Sequence, residues 1–288
     1  MKEIPILFST AMVQAILQGR KTQTRRIVKT KFFPASEIAS IHKDGSGKGW
    51  IAWSPLPVSA EKTKELYPGE DGFKCHYGTD GDVLWVRENF RVSSWVPDDS
   101  ELTFRYEADG VVSPYLVVDT YESQGEIFNR YWKQSCDDLY KAGYNSDEDE
   151  SFKDYDYKAL RLRPNIFLPK EAARIWLQVT DVRVERLQDI TEEDAIAEGV
   201  KPAGCDDNLA CPSKLCINEC VDKDHWWNYL APNGEDFPCF TAVESFKSLW
   251  QSINSPESWE ADPWVFVISF KVLSTTGKPD LQTLKSIA

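Results

Sequence analysis

The chain has 288 residues, 42% of them hydrophobic, and a formal net charge of −13. Its 11 Trp, 11 Tyr and 14 Phe residues supply enough apolar surface for a core, which argues against global disorder. No apolar run approaches the roughly 20 residues that span a bilayer, and the N-terminal residues lack the basic-then-apolar order of a signal peptide. We therefore expect a soluble, cytoplasmic protein without a membrane partner.

The first predicted elements are a strand, a helix and a second strand. Residues 4–8 form a short apolar run that is typical of a strand. Residues 9–18 predict a helix, with Ser9 or its neighbour as N-cap and Gly19 in the left-handed conformation at its end. Residues 22–28 are rich in β-branched side chains and predict a strand. The corner between helix and strand is strongly cationic and contains Arg20, Lys21, Arg25 and Arg26.

The middle of the chain predicts short strands separated by irregular segments. Strands are expected at residues 50–53, 83–88 and 104–106. Residues 110–158 mix aromatic and acidic side chains without a clean period, and we predict an insertion there. Residues 175–184 give the longest strand signal in the chain.

The last third predicts two helices and a closing strand. Residues 191–199 have an approximate capping box and predict a compact helix. Residues 241–253 predict an amphipathic helix whose apolar face includes Ile253, and residues 264–273 predict a buried strand. Between the helices, residues 201–239 form a second insertion. Mostly short strands with few helices favour an α+β protein, a small β-barrel decorated with helices and carrying two long insertions.

The negative charge is concentrated in one part of the chain. Residues 98–157 contain 16 Asp or Glu against 5 Lys or Arg, a local net charge of −11. The remainder is close to neutral and can carry a basic patch, so the acidic balance does not exclude a nucleic-acid or nucleotide ligand. The acidic run is either a solvated surface or a polyanion-like surface that engages a basic partner protein.

Seven cysteines, an odd number, fit reduced thiols or a metal site better than a disulfide framework. The second insertion has little core of its own, so a structural zinc would help it to fold, and His225 or Cys239 can replace one ligand. No Cys-x-x-Cys pair is present, and free thiols or disulfides remain alternatives. The four candidate zinc ligands are Cys205, Cys211, Cys216 and Cys220.

Residues 19–26, Gly-Arg-Lys-Thr-Gln-Thr-Arg-Arg, resemble the signature of the ASCH domain family, whose fold is a PUA-like β-barrel. Later segments follow in the family's order, and the whole is similar to the large ASCH proteins carried by bacteriophages and prophages. The similar segments are residues 81–86, 175–184, 191–199 and 263–273. The resemblance implies a discontinuous barrel domain of residues 1–109, 159–200 and 240–275, with insertions at 110–158 and 201–239 and a tail at 276–288.

One branch of this family removes the acetyl group from N4-acetylcytidine with a lysine, a threonine three residues later and a glutamate in the short helix. The resemblance assigns these roles to Lys21, Thr24 and Glu198. Lys21 is the base when it is neutral, Thr24 the nucleophile, and Glu198 orients Lys21 or carries a proton to the leaving amine. Neighbouring arginines lower the pKa of Lys21 and a neighbouring carboxylate raises it. No cofactor is implied for catalysis.

Two further expectations concern geometry and substrate contacts. Side chains three residues apart point to opposite faces of an ideal strand, so the site requires Lys21 to precede the strand. Arginine offers planar bidentate donors, and Arg26 is the foremost candidate for contacting a ribose, phosphate or base edge. Trp85 either stacks a base or packs in the core. The candidate substrate-binding residues are Arg20, Arg25, Arg26, Trp85 and Arg87.

The leading functional hypothesis is therefore an ASCH-type protein that binds a nucleoside or RNA and hydrolyses an N4-acyl group. Three alternatives stay open: an RNA- or modified-base-binding protein without chemistry, a ribonuclease, and a phage accessory protein that engages a host protein through its acidic insertion. Without a ligand, the cationic corner would be a solvated surface or a helix C-terminus favoured by the helix dipole.

Overall fold

A computed structural model describes residues 1–29, 40–43, 49–53, 74–118, 125–146, 152–201 and 241–280. This part of the chain is an α+β protein. Its strands are β1 (Glu3–Leu7), β2 (Gln23–Ile27), β3 (Ser40–Lys43), β4 (Trp50–Trp53), β5 (Val83–Arg87), β6 (Phe90–Val96), β7 (Glu101–Tyr106), β8 (Leu116–Val117), β9 (Trp176–Arg186) and β10 (Trp264–Ser274). Its α-helices are α1 (Thr10–Leu17), α2 (Glu126–Lys141), α3 (Glu192–Ala197), α4 (Ala242–Asn254) and α5 (Glu257–Glu260). None of these helices is long and apolar enough to cross a membrane.

The main sheet has five strands in the order β1-β5-β9-β10-β2. β1 and β5 are parallel and the other pairs are antiparallel. Within the described residues, the edge strands β1 and β2 do not pair through their backbones, so these strands form no closed barrel and the expected barrel stays a prediction. A side chain links the edges instead, because Nη2 of Arg26 on β2 donates to the carbonyl oxygen of Leu7 on β1 at 2.6 Å.

Successive side chains of β10 point to opposite faces of the sheet and lie in two different cores. Phe266 and Ile268 lie in the first core, which also contains apolar side chains of β1, β5 and β9. Val265 and Val267 lie in the second core, where they pack with α3, α4 and α5. A strand buried on both faces reads as an unbroken apolar run, and this explains why residues 264–273 were recognisable as a strand.

The segment predicted as an insertion without a clean period contains a regular helix, α2, so the expected lack of a period was wrong there. The helix buries one stripe against the three-stranded sheet β6-β7-β8. Its period was missed because the stripe mixes large aromatic rings with a hydroxyl, so that apolar residues alone do not mark it. The buried positions of α2 are Phe128, Tyr131, Ser135 and Leu139. The division of the chain into domains stays a prediction.

The other predicted elements are present with small shifts of their ends. Ser9 caps α1 by accepting a hydrogen bond from the backbone N–H of Met12, and Gly19 follows the helix with φ of 72°. Strands β3, β6 and β8 and the short helix α5 were not predicted. Ile253 was expected on the buried face of α4 but is 48% exposed. The helix turns small side chains toward the core instead, namely Ala242, Ser245 and Ser248.

Candidate active site

The backbone around Lys21 forms a corner before β2 begins. The amides of Arg20 and Lys21 both donate to the carbonyl oxygen of Ala15, at 2.9 and 3.1 Å. The amide of Thr22 donates to the carbonyl oxygen of Ala197 at 2.8 Å. Lys21 therefore precedes the first residue of β2, and the geometric requirement derived from the sequence is met.

Gly199 allows the end of α3 to approach this corner closely. Its φ is +87°, and a Cβ atom there would lie 2.7 Å from Cβ of Lys21 and 2.8 Å from Cβ of Ala15. No side chain fits such a space without displacing its neighbours. The glycine thus holds Lys21 between α1 and the C-terminal end of α3.

Lys21 and Glu198 form a buried ion pair at this point. Nζ of Lys21 donates to Oε2 of Glu198 at 2.7 Å and to the carbonyl oxygen of the same residue at 2.8 Å. The two residues are 1% and 3% exposed. Burial lowers the pKa of Lys21 below its ordinary value, Glu198 opposes this shift, and Arg26 and Arg25 add to it. The sequence left the opposing effects of the arginines and of the carboxylate undecided. In the structure, burial is the largest effect and, together with the arginines, lowers the pKa of Lys21.

Arg25 connects Glu198 to a larger network of ion pairs. Nη1 of Arg25 lies 3.3 Å from Oε1 of Glu198, and Nη2 contacts Glu185 at 2.5 Å and Asp194 at 2.9 Å. Arg183 binds both Glu185 and Asp194. Burial raises the pKa of Asp194, but Arg183 and Arg25 outweigh it and hold the pKa below its ordinary value. Arg25 is therefore committed to protein carboxylates and orients Glu198.

Thr24 lies on β2 beside this pair but does not bond to it. It is 1% exposed and faces Ile268 of β10 across the sheet. Among the residues that the structure describes, its hydroxyl has no hydrogen-bond partner. The structure therefore joins Lys21 and Glu198 directly and places Thr24 on the adjacent strand, without a bond to either residue.

A cleft of about 240 Å³ opens next to Glu198, between β2 and α4. Its polar wall includes Arg25, Arg26 and Glu198, and aromatic rings form much of the rest. This volume is below the roughly 300–1,000 Å³ of pockets that hold drug-sized ligands, so the cleft suits a single small ring. The aromatic residues of the wall are Tyr77, Phe246, Trp250 and Phe266.

Arg26 is the arginine of this wall that bonds to no carboxylate among the described residues. Its guanidinium lies 5.3 Å from the ring of Phe8 and 5.6 Å from that of Tyr77. One nitrogen bonds to the carbonyl oxygen of Leu7, whereas Nε is buried without a partner. Burial lowers the pKa of this arginine. Arg26 thus retains donor capacity beside the cleft.

The other predicted substrate contacts lie elsewhere. Nη1 of Arg20 bonds to the carbonyl oxygens of Gly199 and Val200, so it ties α1 to the end of α3. Trp85 is 5% exposed and packs in a separate cluster on the outer face of β5. Arg87 lies over that ring, with its guanidinium 4.7 Å from the ring centroid. These three side chains do not line the cleft.

Several residues of the site were not found from the sequence. The carboxylates of Glu185 and Asp194 lie 160 and 169 positions from Arg25 along the chain, and no local pattern links them. Tyr77 and the aromatic residues of α4 were recognisable only as apolar side chains, and the sequence does not distinguish a cleft residue of this type from a core residue. Arg183 was recognisable only as an alternating polar position on a strand.

The predicted zinc ligands lie outside the described residues, as do His225 and Cys239, and the zinc site stays a prediction. Within the described ranges, no group of three or more His, Cys, Asp and Glu side chains is placed to hold a metal ion. Two cysteines in these ranges, Cys75 and Cys136, form no disulfide. Burial raises the pKa of Cys75 to about 11, which makes this thiol unreactive near neutral pH.

Comparisons of the chain with protein-family models, with curated proteins and with solved structures find no match.

Proposed function

We propose that this protein hydrolyses the N4-acyl group of a cytidine-type nucleoside, with Lys21, Thr24 and Glu198 as its catalytic residues. The observation that supports the proposal most is the buried contact of 2.7 Å between Nζ of Lys21 and Oε2 of Glu198, beside a cleft that Glu198 lines. Two ionisable groups with opposite roles, in hydrogen-bond reach of each other, meet the first requirement of acid–base catalysis.

The geometry around Lys21 suits a neutral amine. A neutral amine has two N–H groups and one lone pair. Both N–H groups have acceptors here, Oε2 and the carbonyl oxygen of Glu198. The lone pair then remains available to accept a proton, and the lowered pKa of Lys21 increases the fraction of the molecule in this state.

The proposed reaction has an acylation and a deacylation step. In acylation, Oγ1 of Thr24 attacks the acetyl carbon and its proton passes to Nζ of Lys21. As the C–N bond breaks, Glu198 relays that proton from Lys21 to N4 of the leaving cytidine. In deacylation, water attacks the acetyl-threonine ester and gives a proton to Nζ of Lys21, which passes it to Oγ1 of Thr24 as the ester C–O bond breaks. Acetic acid leaves and loses its proton to the solvent.

The cleft provides the remaining features that a pyrimidine ring needs. Phe246 and Trp250 offer faces against which a base can stack. Arg26 lies at the same wall, and its buried Nε has no acceptor among the described residues, so this donor would pair with a carbonyl oxygen of a base. Arg25 also lines the cleft, but its two terminal nitrogens already contact three protein carboxylates.

The same proposal includes a PUA-like barrel of the ASCH type for the main sheet. Two features support it. Edge strands β1 and β2 are bridged by Arg26 and Leu7, and the first core draws its apolar side chains from β1, β5, β9 and β10. A sheet that curls until its edges meet around one core is the open form of a small barrel.

Incubation of the purified protein with N4-acetylcytidine, followed by chromatographic detection of cytidine, tests the reaction. We expect kcat/KM to rise with pH through the lowered pKa of Lys21, because only the neutral amine takes the proton. Absence of cytidine at high enzyme concentration would refute the hydrolase. Selective retention of the nucleoside without product would then favour the binding protein.

Thr24→Val tests the nucleophile with little risk to folding. The hydroxyl bonds to no described residue, so its removal should leave the fold intact while activity falls by about 10²-fold or more. Thr24→Ser is the matched control, since it keeps a hydroxyl at the same carbon. Full turnover by Thr24→Val would show that water, and not Thr24, attacks the acetyl group.

A further inference from the structure

Two basic side chains of the cleft take no part in the proposed reaction. Lys29 and His76 both line the cleft, and both are exposed to solvent. Lys29 lies two residues beyond the end of β2, whereas His76 lies on a separate segment beside Tyr77. Because an exposed side chain that lines a cleft marks the place where the cleft meets solvent, these two residues lie at its mouth. Lys29 and His76 are called the basic rim below.

The basic rim is unpaired within the part of the chain that the structure describes. No hydrogen bond, ion pair or ring contact in these ranges involves the ammonium group of Lys29 or the imidazole of His76. Acidic residues outnumber basic ones in this chain, 46 to 33, and yet no described carboxylate contacts either side chain. The donors of the ammonium group and at least one ring N–H of the imidazole are therefore available to a ligand.

The inner wall of the cleft disfavours an anion, which leaves the mouth as the place where a negative charge can lie. Glu198 lines this wall and is 3% exposed. Lys21 at 2.7 Å and Arg25 at 3.3 Å already contact its carboxylate, and a second negative charge beside it would be repelled. The rings of Phe246 and Trp250, 3% and 4% exposed, lie in the same wall. The cleft thus suits a neutral ring inside and an anion at its mouth.

The segment that begins with β2 connects these two places. Arg26, whose Nε is proposed to contact the base, lies three residues before Lys29. The amide of Val28 donates to the carbonyl oxygen of Trp264 at 2.9 Å, so the backbone stays paired with the neighbouring chain beyond the end of β2. Three residues of extended backbone span about 10 Å, which leaves room for a sugar between a base at Arg26 and an anion at Lys29.

We infer that the cleft takes its cytidine-type substrate as a 5′-mononucleotide, whose phosphate binds to Lys29 and His76. This inference rests on the proposed function, because it names the substrate class of the same cleft. In a 5′-nucleotide the ribose separates a neutral base from a charged phosphate, in the same order as the buried aromatic wall and the exposed basic rim. An ammonium group binds phosphate as a point charge, and the imidazole adds an N–H donor.

A mononucleotide fits the cleft better than a polynucleotide. The two side chains of the basic rim can contact one phosphate, whereas a polymer gains its affinity from many phosphate contacts. The net charge of −13 disfavours the approach of a polyanion, although a local basic site can still hold a single phosphate. The volume of about 240 Å³ accommodates one base.

Isothermal titration calorimetry with cytidine 5′-monophosphate and with cytidine tests this inference. Neither compound carries an N4-acyl group, so binding is measured without turnover. We expect the Kd of the nucleotide to be about tenfold lower than that of the nucleoside, since hydrogen bonds to a charged group are the stronger ones.

The variant for this experiment is Lys29→Gln/His76→Gln, which removes both basic groups and leaves no described partner unpaired. The ratio of the two Kd values should fall from about tenfold to below about threefold. The matched control is His42→Gln/Lys43→Gln on β3, which replaces an exposed histidine and an exposed lysine outside the cleft. The control should keep the ratio of the wild type.

Each outcome decides for or against the inference. A ratio that falls in the rim variant and stays constant in the control supports it. Equal affinity of the wild type for both compounds, no binding of either, or a ratio that the rim variant leaves unchanged overturns it. Tighter binding of a 12-nucleotide RNA than of cytidine 5′-monophosphate, lost in the rim variant, would assign the rim to a polynucleotide and refute the mononucleotide.

Hydrolysis of N4-acetylcytidine is measured separately, so the two proposals fail independently. A preference for the nucleotide without any turnover would refute the proposed function alone. Turnover of N4-acetylcytidine by a protein that binds nucleotide and nucleoside equally would refute this inference alone.

Discussion

The buried pair of Lys21 and Glu198 makes a stability prediction that can be worked out from its geometry. Lys21→Met keeps the length of the aliphatic side chain and removes the charge. It leaves the carboxylate of Glu198, in a residue that is 3% exposed, with Arg25 at 3.3 Å as its remaining ion-pair partner. We expect the free energy of unfolding at pH 7 to fall, because a buried carboxylate loses its nearest cation.

The size of this fall follows from two opposing terms. At the 2.7 Å separation of the pair, the gross attraction is about 6 kcal/mol at an effective dielectric constant of roughly 20. Desolvation of both ions offsets much of it, and removal of one partner from a buried pair typically costs about 3–5 kcal/mol. Arg25 compensates in part, so we expect about 3 kcal/mol, which corresponds to a decrease in Tm of roughly 6–12 °C.

A double-mutant cycle measured by urea denaturation checks the reasoning. Glu198→Gln removes the charge and keeps the shape, so Lys21→Met/Glu198→Gln contains neither ion. The double variant should be more stable than the sum of the two single losses predicts, by at least about 1.5 kcal/mol. A loss below about 1 kcal/mol in Lys21→Met, or additive losses across the cycle, would show that the pair is not a buried ionic contact.

Three further predictions concern the surroundings of the site. Gly199→Ala should destabilise the protein by about 1–3 kcal/mol more than the control Gly143→Ala. Both glycines have φ near +90°, but an added Cβ atom clashes only at Gly199. Equal losses of stability in thermal denaturation would contradict the close packing at Gly199. The folded pKa of Asp194 is below its ordinary value of 3.8, so its stabilising effect is complete above that pH and is lost as the pH falls through the folded pKa. The difference in unfolding free energy between the wild type and Asp194→Asn should therefore shrink below pH 4, and an increase on acidification would reverse the assigned sign. Glu88→Gln should lower the free energy of unfolding, measured by urea denaturation, by about 3 kcal/mol. Glu88 accepts two hydrogen bonds from the buried Arg174, at 2.8 and 2.9 Å. A decrease of less than about 1 kcal/mol would argue against a buried ion pair.

Much of the secondary structure was predictable because its signals are local. Thr191 accepts a hydrogen bond from the amide of Asp194 three residues later, and a capping box needs only this separation. β9 and β10 carry apolar runs that are long enough to be recognised without their partners. In contrast, β3 has four residues, Ser-Ile-His-Lys, and too few apolar positions to show a period.

The candidate site was predictable only in part. The residue types at positions 21, 24 and 198 and the corner before β2 followed from the sequence and the family resemblance. Which arginine remains available to a ligand did not follow, because Arg25 and Arg26 are adjacent and chemically alike. Because side chains alternate along β2, Arg25 lies toward Asp194 and Arg26 lies beside Phe8. The elements that pack on each face of the strand determine which arginine meets a carboxylate.

The sequence alone predicted the α+β class, the helix ends and the long strands. It also predicted a cationic corner and, far along the chain, an acidic helix. These features depend on residues that are close along the chain, where backbone geometry limits the outcomes. The partner of each charge depended on folding, since 46 acidic residues compete for 33 basic ones. Burial then lowered the pKa of Lys21, because Gly199 brings a helix end within contact distance of it, and only a completed core excludes the water that solvates a charged amine.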